Sequence, residues 1–196
     1  EMLMGDCTAK LVDMSNEEFD WDEDKVLVKV HYTAISSGSE YANLIGDTNI
    51  DATKKDVVLV WPRGNGYSSC GIVMKTGKNV KSVKPGDRVA LIGCGHASHH
   101  VVEEKQVCKI PYDEITLEEV AATYISTFSL SGVRKVRIEA GESAAVMGCG
   151  FLGLFAVQFC AAVGATPVIA VDPVKEKREK RNTVVFFFYL YKKQLY

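Results

Sequence analysis

Between Lys25 and Tyr32 charged and apolar side chains alternate, and that period of two predicts a half-buried strand. Residues 70–75 read as another strand, with Thr76-Gly77-Lys78-Asn79 as the turn that ends it. Lys84-Pro85-Gly86-Asp87 is a further turn, launching a strand over residues 88–92, and residues 100–102 and 107–110 read as two more short strands. Several short strands punctuated by Gly and Pro predict a small barrel or sandwich over the first ~110 residues, not a parallel sheet.

The pattern changes near Pro111. Thr116-Leu117-Glu118-Glu119 has the spacing of a capping box, in which threonine and glutamate satisfy each other's free amides at a helix start. That helix continues through Val120, Ala121 and Ala122, and a second helix is predicted over residues 127–136. Residues 143–147 form a short apolar strand leading into Gly148-Cys149-Gly150-Phe151-Leu152-Gly153. Residues 152–163 are apolar save for Gln158, so the helix there is expected to be buried on most sides. Gly164 stops it, and Pro167-Val168-Ile169-Ala170-Val171 is a second strand, with proline at its tolerated first position. Strand, glycine turn, helix and strand make a βαβ unit.

Composition narrows the classes. The 196 residues are 47% hydrophobic with a formal charge of -2, which suits one large or two small globular domains. That charge leaves no electrostatic footprint for nucleic acid or an anionic membrane, and the basic run over 175–181 reads as a solvated helix face. No apolar run approaches the ~20 residues of a membrane span. The six cysteines stand apart without a CxxC pair, the pattern of reduced thiols in a cytoplasmic protein. The chain opens on Glu1, and six aromatic residues fall between Phe186 and Tyr196. Residues 182–196 are therefore expected to be an atypical, non-native tail on a C-terminally truncated chain, and its apolar stretch an aggregation hazard.

The glycine turn carries the chemistry. Gly148 permits the tight exit from the strand, Gly150 lets the backbone approach a pyrophosphate, and Gly153 allows close packing of helix on strand. The helix opening at Phe151 and Leu152 offers free amides and a positive dipole end to phosphates. Asp172 follows Gly153 by nineteen residues, where a carboxylate can accept from both hydroxyls of an adenosine ribose. A 2′-phosphate there would meet a like charge, so NAD is the expected cofactor. NADP is the alternative if Lys175 and Arg178 take up that phosphate.

With a β-rich half ahead of this fingerprint, the sequence resembles the medium-chain dehydrogenase/reductase superfamily, in its zinc-type alcohol dehydrogenase group. The matching stretches are Val26-Leu27-Val28-Lys29-Val30, Lys84-Pro85-Gly86-Asp87-Arg88-Val89, and Gly141-Glu142 ahead of the glycine turn. The resemblance implies an α/β plus β fold: a GroES-like catalytic domain over 1–122, then the first part of a Rossmann dinucleotide-binding domain over 123–181. It also implies full-length relatives that are homo-oligomers.

The metal positions depart from that group. Zinc-type members carry a cysteine ahead of Gly-Thr/Ser-Asp; here Ser37 stands there, in Ser36-Ser37-Gly38-Ser39-Glu40. Their Gly-His-Glu is Gly66-Tyr67-Ser68, and the nearest match to the third ligand is Ser126. Catalytic zinc takes three side chains of Cys, His or carboxylate type. Adjacent His99 and His100 would face opposite sides of a strand, so no metal is expected. Gly66-Tyr67-Ser68-Ser69-Cys70-Gly71 resembles instead a zinc-independent, bi-domain oxidoreductase-like branch.

The resemblance thus implies an NAD(P)(H)-dependent oxidoreductase acting on a small alcohol or carbonyl, in which hydrogen-bond donors replace the zinc. Tyr67 and Ser37 are the candidate donors and Ser39 a candidate relay hydroxyl. His96 is a candidate acid/base, because histidine ordinarily titrates near neutrality. The alternatives are a nucleotide-binding module that does not catalyse and an inactive fragment of such an enzyme.

Overall fold

The computed structural model describes residues 2–14, 20–47 and 60–179, so the expected tail and its apolar stretch lie outside the described residues. The chain divides into two compact units, residues 1–124 and 125–196.

In the first unit, β1 (Met2–Leu3), β2 (Ala9–Lys10) and β4 (Arg63–Gly64) form a small antiparallel sheet. A larger antiparallel sheet holds β3 (Lys25–Thr33), β5 (Ser68–Thr76), β6 (Arg88–Ile92), β7 (His99–Glu103) and β8 (Val107–Lys109) in the order β7-β3-β5-β6-β8. The alternation in β3 does what its period predicts. Val26 and Val28 are buried in one core with Val73, Val89, Leu91 and Val102. The other sheet face presents Cys70 and Ala90 to Val120 and Ala121 of α2 (Leu117–Ala121), whose capping box is formed by Thr116 and Glu119.

Two helices differ from expectation. The sequence predicts no helix over residues 37–44, yet α1 (Ser37–Leu44) lies there. Gly38 and a weak apolar period hide it. Its start is secured by Glu40, whose Oε1 accepts the Ser36 amide at 2.8 Å. The helix α3 (Thr123–Val136) begins four residues ahead of the predicted 127, because Ala122, which alone separates it from α2, keeps right-handed helical backbone.

In the second unit, β9 (Ala144–Met147) and β10 (Val168–Val171) pair in parallel around the crossover helix α4 (Phe151–Ala162), as the βαβ pattern predicts. Pro167 immediately precedes β10 and is not its first residue. The expectation that α4 is buried on most sides is not met. Only Val157 and Cys160 of this helix are buried, and Phe151, Leu152, Ala161 and Ala162 are exposed. A two-stranded sheet offers the helix one surface, and β9 and β10 spend it on Val146, Val168 and Ala170. The described part of the basic run forms α5 (Lys175–Glu179), whose Lys175 and Lys177 are exposed. Among the described residues, no helix is long and apolar enough to cross a membrane.

Candidate functional site

The glycine turn joins β9 to α4. Gly148 has φ +92°, a left-handed conformation that L side chains rarely adopt. Gly150 is the N-cap of α4 and brings no side chain to satisfy the first amides of the helix. At Gly153 there is no room for a Cβ, which would fall 1.7 Å from the Gly148 carbonyl oxygen. Phe151 and Leu152 are half exposed at the first turn, and the Leu152 carbonyl accepts from Ser129 Oγ at 2.8 Å.

Asp172 immediately follows β10 with its carboxylate already in use. Oδ2 accepts the Cys149 amide at 2.8 Å and Oδ1 accepts the Val174 amide at 2.8 Å. These two backbone donors, Cys149 first, hold the carboxyl below its ordinary range. The position that sequence reasoning gave to a ribose is therefore also the brace of the glycine turn. Arg178 donates to the Asp172 carbonyl oxygen, and Lys175 stands exposed at the head of α5.

In the first unit, three segments meet around one carboxylate. Thr33 closes β3, α1 supplies Glu40, and the loop after β6 supplies His96. His96 Nδ1 lies 2.8 Å from Thr33 Oγ1, and its Nε2 lies 3.0 Å from Glu40 Oε2. Glu40 is 8% exposed, and besides the Ser36 amide it receives Asn65 Nδ2 at 3.4 Å. A buried carboxylate survives only with such partners. Gly66, at φ +78°, lies so close to His96 that a Cβ would fall 2.7 Å from Nε2. A cavity of about 1280 Å³ is lined by Thr33, Asn65, Gly66 and His96, among other residues of this unit.

The remaining candidates sit around this cluster. Ser37 is exposed at the first position of α1, and Ser39 Oγ lies 3.5 Å from Ser36 Oγ. Tyr67 follows Gly66 and packs edge-on against Tyr124, with ring centroids 5.9 Å apart. Glu40 is the residue that sequence reasoning missed. Its signal was the spacing of four from Ser36, which lets a side chain return to the helix start. His99 and His100 find local partners in Ser98 Oγ and the Gly95 carbonyl oxygen.

Among the described residues, no group of three or more His, Cys, Asp or Glu could hold a metal ion. The hydroxyls of Ser37, Tyr67 and Ser126 are not among the thiolate, imidazole and carboxylate groups that catalytic zinc takes.

Residues 22–135 match the family model for the alcohol dehydrogenase GroES-like domain. The (R,R)-butanediol dehydrogenase of Bacillus subtilis is 28% identical over 192 residues, spanning 84% of this chain and 55% of that protein. The sorbitol dehydrogenase of Bombyx mori is 23% identical over 186 residues, spanning 80% of this chain and 51% of its own length. Among solved structures, 2R,3R-butanediol dehydrogenase from Bacillus subtilis superposes with a TM-score of 0.75 at 25% identity, covering 93% of this chain and 60% of that one. The chain spans about half the length of the curated relatives it matches.

Proposed function

We propose that this chain, which belongs to the alcohol dehydrogenase GroES-like domain family, serves an NAD(P)(H)-dependent oxidoreductase that interconverts a small alcohol and its carbonyl without catalytic zinc. Its fold is a GroES-like β-rich domain followed by the first part of a Rossmann dinucleotide-binding domain. The observation that carries the proposal is the glycine turn: Gly148 at φ +92°, Gly150 as a bare N-cap, and Gly153 with no space for a Cβ.

A bound nicotinamide dinucleotide supplies the hydride chemistry. The amides at the head of α4 would hold its pyrophosphate, with Gly150 leaving the backbone free to approach. Asp172 would accept from the adenosine ribose, which favours NAD, while Lys175 is the residue that would meet a 2′-phosphate of NADP. At the reacting oxygen, Tyr67 Oη and Ser37 Oγ donate hydrogen bonds to developing negative charge, and Ser39 carries the proton onward. A butanediol and a sorbitol dehydrogenase among the relatives favour a small vicinal diol or polyol as substrate. Free thiols at all six cysteines suit a reducing, cytoplasmic setting.

The test is NADH binding to the chain by fluorescence, followed by turnover on a panel of small diols and hydroxyketones, before and after chelation. Turnover that vanishes on dialysis and returns only with zinc would sink the zinc-free part. NADH binding with no turnover across the panel would favour a nucleotide-binding module.

A further inference from the structure

We infer that Glu40 is a positioning residue: through His96 it sets the backbone corner at Gly66 from which Tyr67 is presented. The inference rests on the oxidoreductase reading for its meaning, and on the geometry around one buried carboxylate for its support. A carboxylate has no proton to give, so the 3.0 Å contact requires His96 to carry its proton on Nε2. In the neutral ring, Nδ1 then accepts from the Thr33 hydroxyl 2.8 Å away. Both ring nitrogens are thereby committed inside the protein, with only 11% of the side chain exposed. His96 is accordingly held in one tautomer by these two contacts.

That ring is also a wall. It occupies the space a Cβ at Gly66 would need, and the His96 amide donates to the Asn65 carbonyl oxygen at 2.9 Å. Asn65 in turn reaches Glu40 Oε2 through its side chain. Glu40 therefore joins the start of α1, which bears Ser37 and Ser39, to the corner that precedes Tyr67. A shift of even 1 Å in such a support costs about a hundredfold in rate, because the donor no longer meets the reacting oxygen.

The experiment uses the full chain and three variants. Glu40→Gln keeps a carbonyl for the Ser36 amide and turns its NH2 toward His96. The ring then has to accept at Nε2 and carry its proton on Nδ1. ¹⁵N spectra of the imidazole are expected to show the Nε2–H tautomer in wild type and in Thr33→Val, and the Nδ1–H tautomer in Glu40→Gln, with the Tyr67 resonances moving in the same variant. His96→Gln covers the case in which Glu40→Gln does not fold, and its Tyr67 resonances are expected to move as well. In turnover, Glu40→Gln and His96→Gln are expected to lower kcat about tenfold or more with little change in KM, and the double variant to be no worse than either. A wild-type ring in the Nδ1–H tautomer, or Tyr67 resonances that ignore both substitutions, would overturn the inference. A wild type that turns over nothing would refute the oxidoreductase reading, and the spectra would then decide the positioning contact by themselves.

Discussion

The amide of Cys149 lies 2.8 Å from Oδ2 of Asp172, so the turn leaving β9 is tied to the residue that follows β10. Asp172→Asn replaces one acceptor oxygen by an NH2 that faces a backbone N–H. The carboxyl titrates below its ordinary value in the folded chain, so its contribution is complete above the unfolded pKa of about 3.9 and fades as pH falls through the folded one. Asp172→Asn is therefore expected to melt earlier than wild type from pH 5 to 8, with the two curves converging only below about pH 4. Thermal melts across pH check this. Equal melting temperatures at pH 7 would show that the brace contributes nothing.

Two glycines of the fingerprint separate fold from ligand. A Cβ at Gly153 would sit 1.7 Å from the Gly148 carbonyl oxygen, whereas nothing lies within 4 Å of a Cβ at Gly150. Gly153→Ala is expected to destabilise the chain by at least about 1–3 kcal/mol, since backbone must move. Gly150→Ala is expected to stay within about 1 kcal/mol of wild type, the ordinary cost of alanine at an N-cap. It is nonetheless expected to bind NADH at least about tenfold more weakly, because the methyl stands where the pyrophosphate approaches. Denaturant curves and NADH titrations read the two effects apart. Wild-type affinity in a folded Gly150→Ala would count against a dinucleotide at this turn.

What the sequence makes legible here is local. The alternation of Val26 and Val28 predicts their shared core, and the spacing of Thr116 and Glu119 predicts the capping box. The βαβ unit is legible because its strands and helix follow one another without interruption. Helix α1 is not, since Gly38 and the polar residues of Ser36–Glu40 leave no apolar face to detect. The pairing of Glu40 with His96 spans 56 residues and obeys no period, so only the fold can bring them together. Burial of α4 is misjudged for a related reason: apolar composition states what a helix can bury, and the surface actually available depends on the strands beside it.

Adjacent serines in β5 make a matched pair. Ser68 Oγ donates to the Ala121 carbonyl oxygen at 2.6 Å, fastening the sheet to α2, while buried Ser69 Oγ has no hydrogen-bond partner among the described residues. Removing the first hydroxyl leaves a buried carbonyl short of a donor, and removing the second relieves an unmet one. Ser68→Ala is expected to cost about 1–3 kcal/mol, and Ser69→Ala to be neutral or slightly stabilising. Chemical denaturation of both variants checks the order, and a larger loss in Ser69→Ala would reverse it.

Thiol reactivity tests the packing of both units in one measurement. Cys70, Cys94, Cys149 and Cys160 are buried, and Cys7 and Cys108 are exposed. Burial pushes the Cys70 and Cys94 thiols up to about 11, and raises Cys160 in the same direction. At pH 8 a thiol titrating there is about one part in a thousand thiolate, and the thiolate is the species that reacts. Alkylation of the native chain at pH 8 is therefore expected to label Cys7 and Cys108 quickly and the four buried cysteines only as the chain opens. Raising the pH toward 9 lifts the thiolate fraction of Cys70 and Cys94 about tenfold, to about one part in a hundred, but both stay enclosed, so opening of the chain still limits their labelling. Unfolding in guanidinium should release all six together. Mapping the labelled peptides by mass decides the matter: early modification of Cys70 or Cys94 would mean that the β-sheet core is open, and early modification of Cys149 or Cys160 would mean that α4 does not stay packed on β9 and β10.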